Sequence, residues 1–400
     1  MNKRIRGLSA IALAVVVAIT MLIGGYQLLA HPTVAESVED KYQYITFAPA
    51  TWEDLSLRDC FNPLGIKIGF IYYGTVTNTN VLSKHANIVV SENAAKMRYV
   101  QPYEDDFRWD DLDEMAEYAD GLPLGEAHAS AISWYYPGTN PVEDTDWSSD
   151  WLWDYKDNYP ALDDELVHHI QHMGGHLSST IDLVSPANEG YWGQINRTSQ
   201  AENIWAPLGN AYVYTSTDIA NNYWPVSKVE YNTFDLRSGG SYDWDLVHTN
   251  LLSQIGVFGM QLYITGTTSI GTECMDFTDW NSSYGWATNL ADAHTLIHLA
   301  GDHGLKVQFS EIGVCTGNTT EGKAQQAEIY AEIAEMAIEH RDIVNAMIFW
   351  GGGYEPAYGV STWPIPWDED EIVHPLDKSG NPQPAVEAMC HVALQAQKFP

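Results

Sequence analysis

Two short stretches of this chain set a carboxylate where a buried strand would end. Residues 181–190 (IDLVSPANEG) form an apolar run closing in Asn188 and Glu189, and residues 306–313 (KVQFSEIG) form a second run closing in Glu311. Brought together, two carboxylates divide the roles of nucleophile and general acid/base, because two environments hold one ionised and the other protonated. Either glutamate alone reads equally well as a helix cap or half of an ion pair. Read together, Glu189 and Glu311 are the catalytic candidates.

The elements that must position such a pair are legible as apolar runs at residues 66–73, 87–91, 122–128, 181–187, 228–231, 259–264, 306–310 and 345–350. Helix-period segments lie between them. Leu112, Met115, Ala116 and Ala119 mark one helix, Leu246, Leu251 and Ile255 another, and Leu290, Ala293, Leu296, Ile297 and Ala300 a third. Residues 323–340 and 386–394 predict two more. Eight strands alternating with helices imply a parallel sheet closed into a (β/α)8 TIM barrel, whose active site is built at the C-terminal strand ends. No repeat or Gly/Ser linker divides the chain. The predicted organisation is therefore a signal or membrane anchor at 1–30, a polar connector at 31–59 and a single catalytic domain at 60–400. A long loop, residues 134–160, holds Trp147, Trp151 and Trp153 and reads as a cleft wall.

Lys3, Arg4 and Arg6 precede an uncharged apolar run over residues 8–29, a pattern of export through a membrane. The run is long enough to span a bilayer, and Leu28 makes a cleavage site at Ala30 a poor A-x-A match, so both a cleaved signal and a retained anchor fit. The expected location is extracellular, either secreted or anchored to the outer face of the membrane. The full chain carries −34, and residues 1–30 hold no acid, so the remainder is more acidic still. Such a surface repels nucleic acid, which excludes nucleic-acid binding, and it suits a saline or acidic exterior. The four cysteines, Cys60, Cys274, Cys315 and Cys390, lack metal-ligand spacing, and GxGxxG, GxSxG and HExxH are absent. No metal or cofactor is expected. Asn196, Asn281 and Asn318 stand in N-x-S/T sequons.

A third cluster, residues 89–96 (VVSENAAK), puts Glu92, Asn93 and Lys96 after the second strand, and His128 ends the third. With these in place the chain resembles glycoside hydrolase family 10, the (β/α)8 endo-β-1,4-xylanases. The family's E-N-x-x-K is matched by Glu92, Asn93 and Lys96, its third-strand His by His128, and its N-E acid/base segment by Asn188 and Glu189. Its G-x-Q is matched by Gln261, its nucleophile segment by SEIG with Glu311, and its W-G by Trp350 and Gly351. The closing PQPAVEAM is similar to the family's last segment, and the resemblance covers residues 65–390.

The resemblance implies retaining hydrolysis of xylan or a related β-1,4-glycan, with Glu311 as nucleophile and Glu189 as acid/base. It implies that Glu92, Asn93, Lys96 and His128 bind sugar on the glycone side and that Asn188 meets the sugar 2-hydroxyl. Gln261 and Tyr263 join the substrate-binding set, and Trp350 with Trp363 or Trp367 forms a stacking platform. The family's His two residues after the sixth-strand Gln is here Tyr263, and its Asp two after the nucleophile is Gly313. The expectation is that the Tyr263 hydroxyl donates to Glu311 in their place, as a tyrosine does in related clan members. The Trp expected four residues after the third-strand His is Ile132, with Trp134 two further on. Barrel order brings Cys60 near Cys390 and Cys274 near Cys315, one of three possible pairings. Two other readings stand beside the xylanase: a β-1,4-glucanase of the same clan, and a non-catalytic polysaccharide-binding barrel.

Overall fold

Each of the eight strand expectations corresponds to a strand. In the computed structural model the described residues are 55–74, 76–91, 93–134, 149–190, 204–233, 241–266, 286–350, 371–377 and 379–398. The signal or anchor at 1–30, Glu92, Trp147, Cys274, Gly351, Trp363, Trp367, Asn196 and Asn281 lie outside them. No helix among the described residues is long and apolar enough to cross a membrane.

The strands are β1 (Lys67–Tyr72), β2 (Ile88–Ser91), β3 (Glu126–Ser133), β4 (Leu183–Ala187), β5 (Glu230–Asn232), β6 (Val257–Thr265), β7 (Lys306–Gly317) and β8 (Val344–Phe349). All pair in parallel, in the order β4-β3-β2-β1-β8-β7-β6-β5. Isolated bridges Val184↔Val229 and Asn188↔Asn232 bring β4 to β5, so the ring is nearly closed. The helices are α1 (Leu57–Phe61), α2 (Val76–His85), α3 (Met97–Val100), α4 (Asp110–Asp120), α5 (Tyr159–Leu177), α6 (Ala211–Ala220), α7 (Ser241–Leu246), α8 (Trp286–Asp302), α9 (Thr320–Glu339) and α10 (Pro384–Ala396). A ninth strand, β9 (Glu371–Ile372), pairs antiparallel with Thr316 and Gly317 at the end of β7.

Strand alternation sorts the side chains. Ile68, Phe70, Val89, Val307 and Phe309 share one core cluster with the helix faces, including Leu112, Met115 and Ala119 of α4 and Val386 and Met389 of α10. Burying each large side chain there stabilises the fold by about 1.5–3 kcal/mol. Residues of the opposite parity, Ile71, Ile88, Val90, Ala346 and Ile348, form a second cluster that fills the barrel.

Two strand boundaries differ from expectation. Strand three begins at Glu126, because residues 122–125 make a turn with Leu124 at φ 54°, and it runs on to Ser133. His128 is therefore mid-strand, paired with Val90 and Leu183, rather than at the strand end. Ala and Ser in the run after His128 have little strand propensity, but a strand enclosed on both faces accepts small side chains. Glu311 likewise lies inside β7, which continues past it along β6 as far as Cys315. Leu57 of α1, in the segment expected to be connector, is fully buried.

At the N-terminal end of the barrel, Glu126 pairs in register with Ile88 and His128 with Val90, so both point inward. Glu126 accepts from Lys67 and lies 3.5 Å from His128 Nε2. Burial pushes its carboxyl up, but the hydrogen bonds and charges of His128 and Lys67 outweigh that and bring its pKa down to about 2. Cys60 of α1 is disulfide-bonded to Cys390 of α10, the expected pairing, which ties the two ends of the domain across 330 residues. Cys315 is also disulfide-bonded.

Candidate active site

Past Ala187 the chain turns sharply. Asn188 bridges to Asn232, and Glu189 takes the left-handed conformation at φ 53°. For a glutamate this costs on the order of 1 kcal/mol, and it persists because neighbours hold the backbone. The Glu189 N–H donates to the Asn232 carbonyl and the Asn188 N–H to the Ser133 carbonyl, both at 3.1 Å.

Glu311 is delivered by a different device. Gly259 of β6 pairs with Gln308 of β7, yet Gln261 pairs with Glu311, so β7 carries one extra residue. Its register against β8 also slips between Phe309 and Ile312. A bulge of this kind turns successive side chains toward one face. Ser310 and Glu311 accordingly both bond Asn232.

The two carboxyls meet through Gln261. Its amide Nε2 donates to Glu189 Oε1 at 2.7 Å and to Glu311 Oε1 at 3.0 Å. Asn232 Nδ2 donates to Glu311 Oε1 and to Asn188 Oδ1, each at 2.7 Å. The Tyr263 hydroxyl donates to Glu311 Oε2 at 2.6 Å, the bond anticipated from sequence. Trp134 Nε1 donates to Glu189 Oε2 at 3.0 Å. Lys96 Nζ lies 4.5 Å over the Trp134 ring and donates to Asn93 Oδ1 at 2.8 Å. These oxygens are engaged by N–H and O–H donors, which suits an anion more than a bound cation.

Both carboxyls are buried, and desolvation pushes both well above the usual carboxylate range. The charge of Glu189 raises Glu311 further, while Gln261 and Trp134 pull Glu189 back and Tyr263 and Asn232 do the same for Glu311. Two such neighbours do not both ionise readily at neutral pH, so the pair titrates as a unit and shares a proton. Glu311 accepts from Asn232, Gln261 and Tyr263, and Glu189 accepts from Gln261 and Trp134, with the Asn188 side chain also lowering its pKa.

The substitution of Tyr263 and Gly313 has a steric logic. The two residues are partners in register, and a Cβ on Gly313 would lie 2.9 Å from Tyr263 Cδ1. A side chain at 313 would occupy the place of the tyrosine ring. Tyr263 packs with Cys315, Val373 and Trp350, and the Trp350 N–H donates to the Ile312 carbonyl. Asn188, Gln261, Tyr263 and Lys96 thus gather with the two glutamates, and Asn93 reaches them through Lys96. His128 does not: its β4 partner is Leu183, six residues before Glu189.

Several residues here escaped the sequence reading. Asn232 ends β5 just as Asn188 follows β4, and that strand-end position was the available signal. Trp134 stood out only as lying two residues past the family's Trp position, with nothing to link it to Glu189. Glu230, two residues before Asn232, is a third buried carboxyl, which burial pushes up to about 8. A Cβ on Gly259 would lie 2.7 Å from Glu230 Oε1 and 2.9 Å from Asn232 Oδ1, so glycine leaves room for both groups.

The family model for glycosyl hydrolase family 10 matches residues 56–391. Endo-1,4-beta-xylanase A of Caldicellulosiruptor sp. (strain Rt8B.4) is 25% identical over 307 residues, covering 71% of this chain and 41% of that protein. Exoglucanase XynX of Acetivibrio thermocellus is 23% identical over 300 residues, covering 69% of this chain and 24% of that protein. The chain thus spans less than half the length of these relatives. Among solved structures, xylanase 10B from Thermotoga petrophila RKU-1 in complex with xylobiose superposes with a TM-score of 0.65 at 18% identity, covering 85% of this chain and 98% of that one. The endo-1,4-beta-xylanase from Caldicellulosiruptor owensensis superposes with a TM-score of 0.64 at 17% identity, covering 84% of this chain and 99% of that one. At these identities the structural likeness is one of fold.

Proposed function

The chain belongs to glycosyl hydrolase family 10, and from that premise we propose that it is a retaining endo-β-1,4-xylanase. The observation that carries this reading is the single Gln261 amide in contact with both buried carboxyls. Its two bonds hold the bonded oxygens within about 5.7 Å of each other, in keeping with a retaining pair about 5–5.5 Å apart rather than an inverting pair about 6.5–9.5 Å apart.

In this mechanism the Glu311 carboxylate attacks the anomeric carbon as the glycosidic bond breaks, and Glu189 gives its proton to the departing oxygen. A glycosyl-enzyme ester results, and the negative charge of Glu311 is consumed. Glu189, now ionised, takes a proton from water as the water oxygen attacks the anomeric carbon, and Glu311 leaves as a carboxylate. Tyr263, Asn232 and Gln261 stabilise Glu311 as an anion before attack and as it departs. Asn188 meets the 2-hydroxyl, Lys96 and Asn93 bind on the glycone side with Glu92, and Trp350 and Trp363 stack on sugar faces. The apolar segment 8–29 supports export to the cell exterior, as a secreted or membrane-anchored protein.

A β-1,4-glucanase is the second reading, favoured by Tyr263 and Gly313 in place of the family's His and Asp and by the relative named as an exoglucanase. Reducing-sugar release from xylan and from carboxymethylcellulose by wild type, Glu189→Gln and Glu311→Gln separates the two. The xylanase reading expects activity on xylan that both substitutions abolish. Preference for carboxymethylcellulose would install the glucanase. Inactivity of wild type on both would favour a binding barrel, and activity surviving Glu311→Gln would remove it as nucleophile.

A further inference from the structure

Far from the glutamates, α8 and the end of α9 bring together histidines for which the glycosidase reading has no use. His294 and His298 are four residues apart on α8, so they share one helix face. His340 caps the C-terminus of α9, directly after Glu339. His294 Nδ1 lies 2.9 Å from His340 Nε2, and the His298 ring stands edge-on to the His340 ring with centroids 4.7 Å apart. One ligand atom from each of His294, Glu339 and His340 falls within 4.8 Å of the others.

We propose that His294, Glu339 and His340 form a binding site for a divalent transition metal, zinc being the ion the set fits best. Tetrahedral zinc takes imidazole nitrogens and a carboxylate oxygen at about 2.0–2.2 Å, which sets neighbouring ligand atoms about 3.3 Å apart. The 2.9 Å contact between His294 and His340 is close to that spacing, so a small opening of the pair admits the ion. The backbone of His340 is well held, its carbonyl accepting from the Ile343 and Val344 N–H groups at 2.7 Å each.

A histidine-rich face on α5 lacks this convergence. On α5, His172 stacks on Phe107 at 4.4 Å, and His176 stacks on Trp109 at 4.3 Å while bonding Asp113 at 2.8 Å. His168 and His172 also meet edge-on at 4.4 Å, yet among the described residues only His294, Glu339 and His340 bring three ligand atoms within 4.8 Å of one another.

The location says what the metal would do. His340 lies four residues before β8, at the N-terminal end of the barrel, whereas the glutamates sit toward the opposite end. Bound zinc would staple α8 to the α9–β8 turn and stabilise the fold without entering the reaction. The test is titration of the EDTA-treated, dialysed full chain with zinc chloride by calorimetry, beside thermal melts with and without zinc. The expected result is one equivalent bound at micromolar or tighter affinity, a melting temperature raised by several degrees, and unchanged glycan hydrolysis. His294→Gln and His340→Gln should each weaken binding at least tenfold and abolish the thermal shift, while their zinc-free melts report whether the variants fold. His298→Ala, at an exposed position beside the three ligands, should fold and bind zinc as wild type does. No zinc binding by wild type would overturn the proposal. So would binding lost with His172→Ala but kept in the His294 and His340 variants, which would assign the zinc to α5.

Discussion

The two ends of the barrel each hold inward-facing carboxylates, and they treat them in opposite ways. At the N-terminal end Glu126 meets Lys67 and His128, and its pKa falls to about 2. Toward the C-terminal end Glu189 and Glu311 meet amides, an indole and a phenol, with Lys96 as the nearby cation, and both rise. A carboxylate matched by cations stays ionised at any working pH and serves structure. Two carboxylates stabilised mainly by neutral donors keep a proton near neutrality, and a shared proton is what acid/base chemistry needs. Burial and partners both differ: Glu126 is 29% exposed beside Lys67, whereas Glu189 and Glu311 are buried among neutral donors.

The largest expected contrast is in rate. Glu311→Gln should lower kcat on xylan by about 10⁴-fold or more and Glu189→Gln by about 10²–10⁴-fold, whereas Glu126→Gln should leave kcat within about twofold. Loss of rate with Glu126→Gln at full stability would erase the distinction.

Next come the donors that replace the family's His and Asp. Tyr263→Phe removes a hydrogen bond to a charged group, worth about 1.5–3 kcal/mol, so kcat should fall about 10–100-fold. Gly313→Asp should cost at least as much by displacing the ring. The double variant Tyr263→His with Gly313→Asp, which removes the clash, should recover part of that loss. Kinetics of the three variants settle it, and an active Gly313→Asp protein would refute the steric account.

Smaller effects concern stability and pH, with opposite signs at the two positions. Glu126 has a lowered pKa, so its contribution is present above the ordinary value of 4.5 and is lost as pH falls toward about 2. Glu126→Gln should therefore destabilise the protein near neutrality by about 1 kcal/mol, the value of a partly exposed pair, and flatten the acid side of the stability profile. Glu230 has a raised pKa, so its contribution is fully present below 4.5 and is lost as pH rises through about 8. Glu230→Gln should melt higher than wild type above pH 8 and match it near pH 4. Melts across pH check both slopes.

The smallest expected change to activity comes from the disulfide. Cys60→Ser with Cys390→Ser should lower stability by about 2–4 kcal/mol while leaving kcat unchanged, because α1 and α10 lie outside the barrel wall.

Much of this was legible in one dimension. The eight apolar runs marked the eight strands, since a strand enclosed on both faces must be apolar over most of its length. Asn188, Glu189 and Glu311 stood out as polar residues in or beside such runs. The helix faces at Leu112–Ala119 and Leu290–Ala300 showed their periods plainly, whereas α5 hid its stripe of Leu162, Leu166, Ile170, Met173 and Leu177 among histidines. His128 was misplaced because Ala and Ser after it carry no strand signal.

The sequence by itself determined the barrel and set the two glutamates at the ends of apolar runs, because residue type and period depend on local burial, and the family resemblance marked the departure at Tyr263 and Gly313. Tertiary structure alone decided that the β7 bulge turns Ser310 and Glu311 to one partner, that Asn232 joins Asn188 to Glu311, and that Trp134 reaches Glu189. It alone seated Tyr263 in the space left by Gly313. Those contacts join residues dozens of positions apart, and register between strands, which no local pattern encodes, is what brings them within a hydrogen bond.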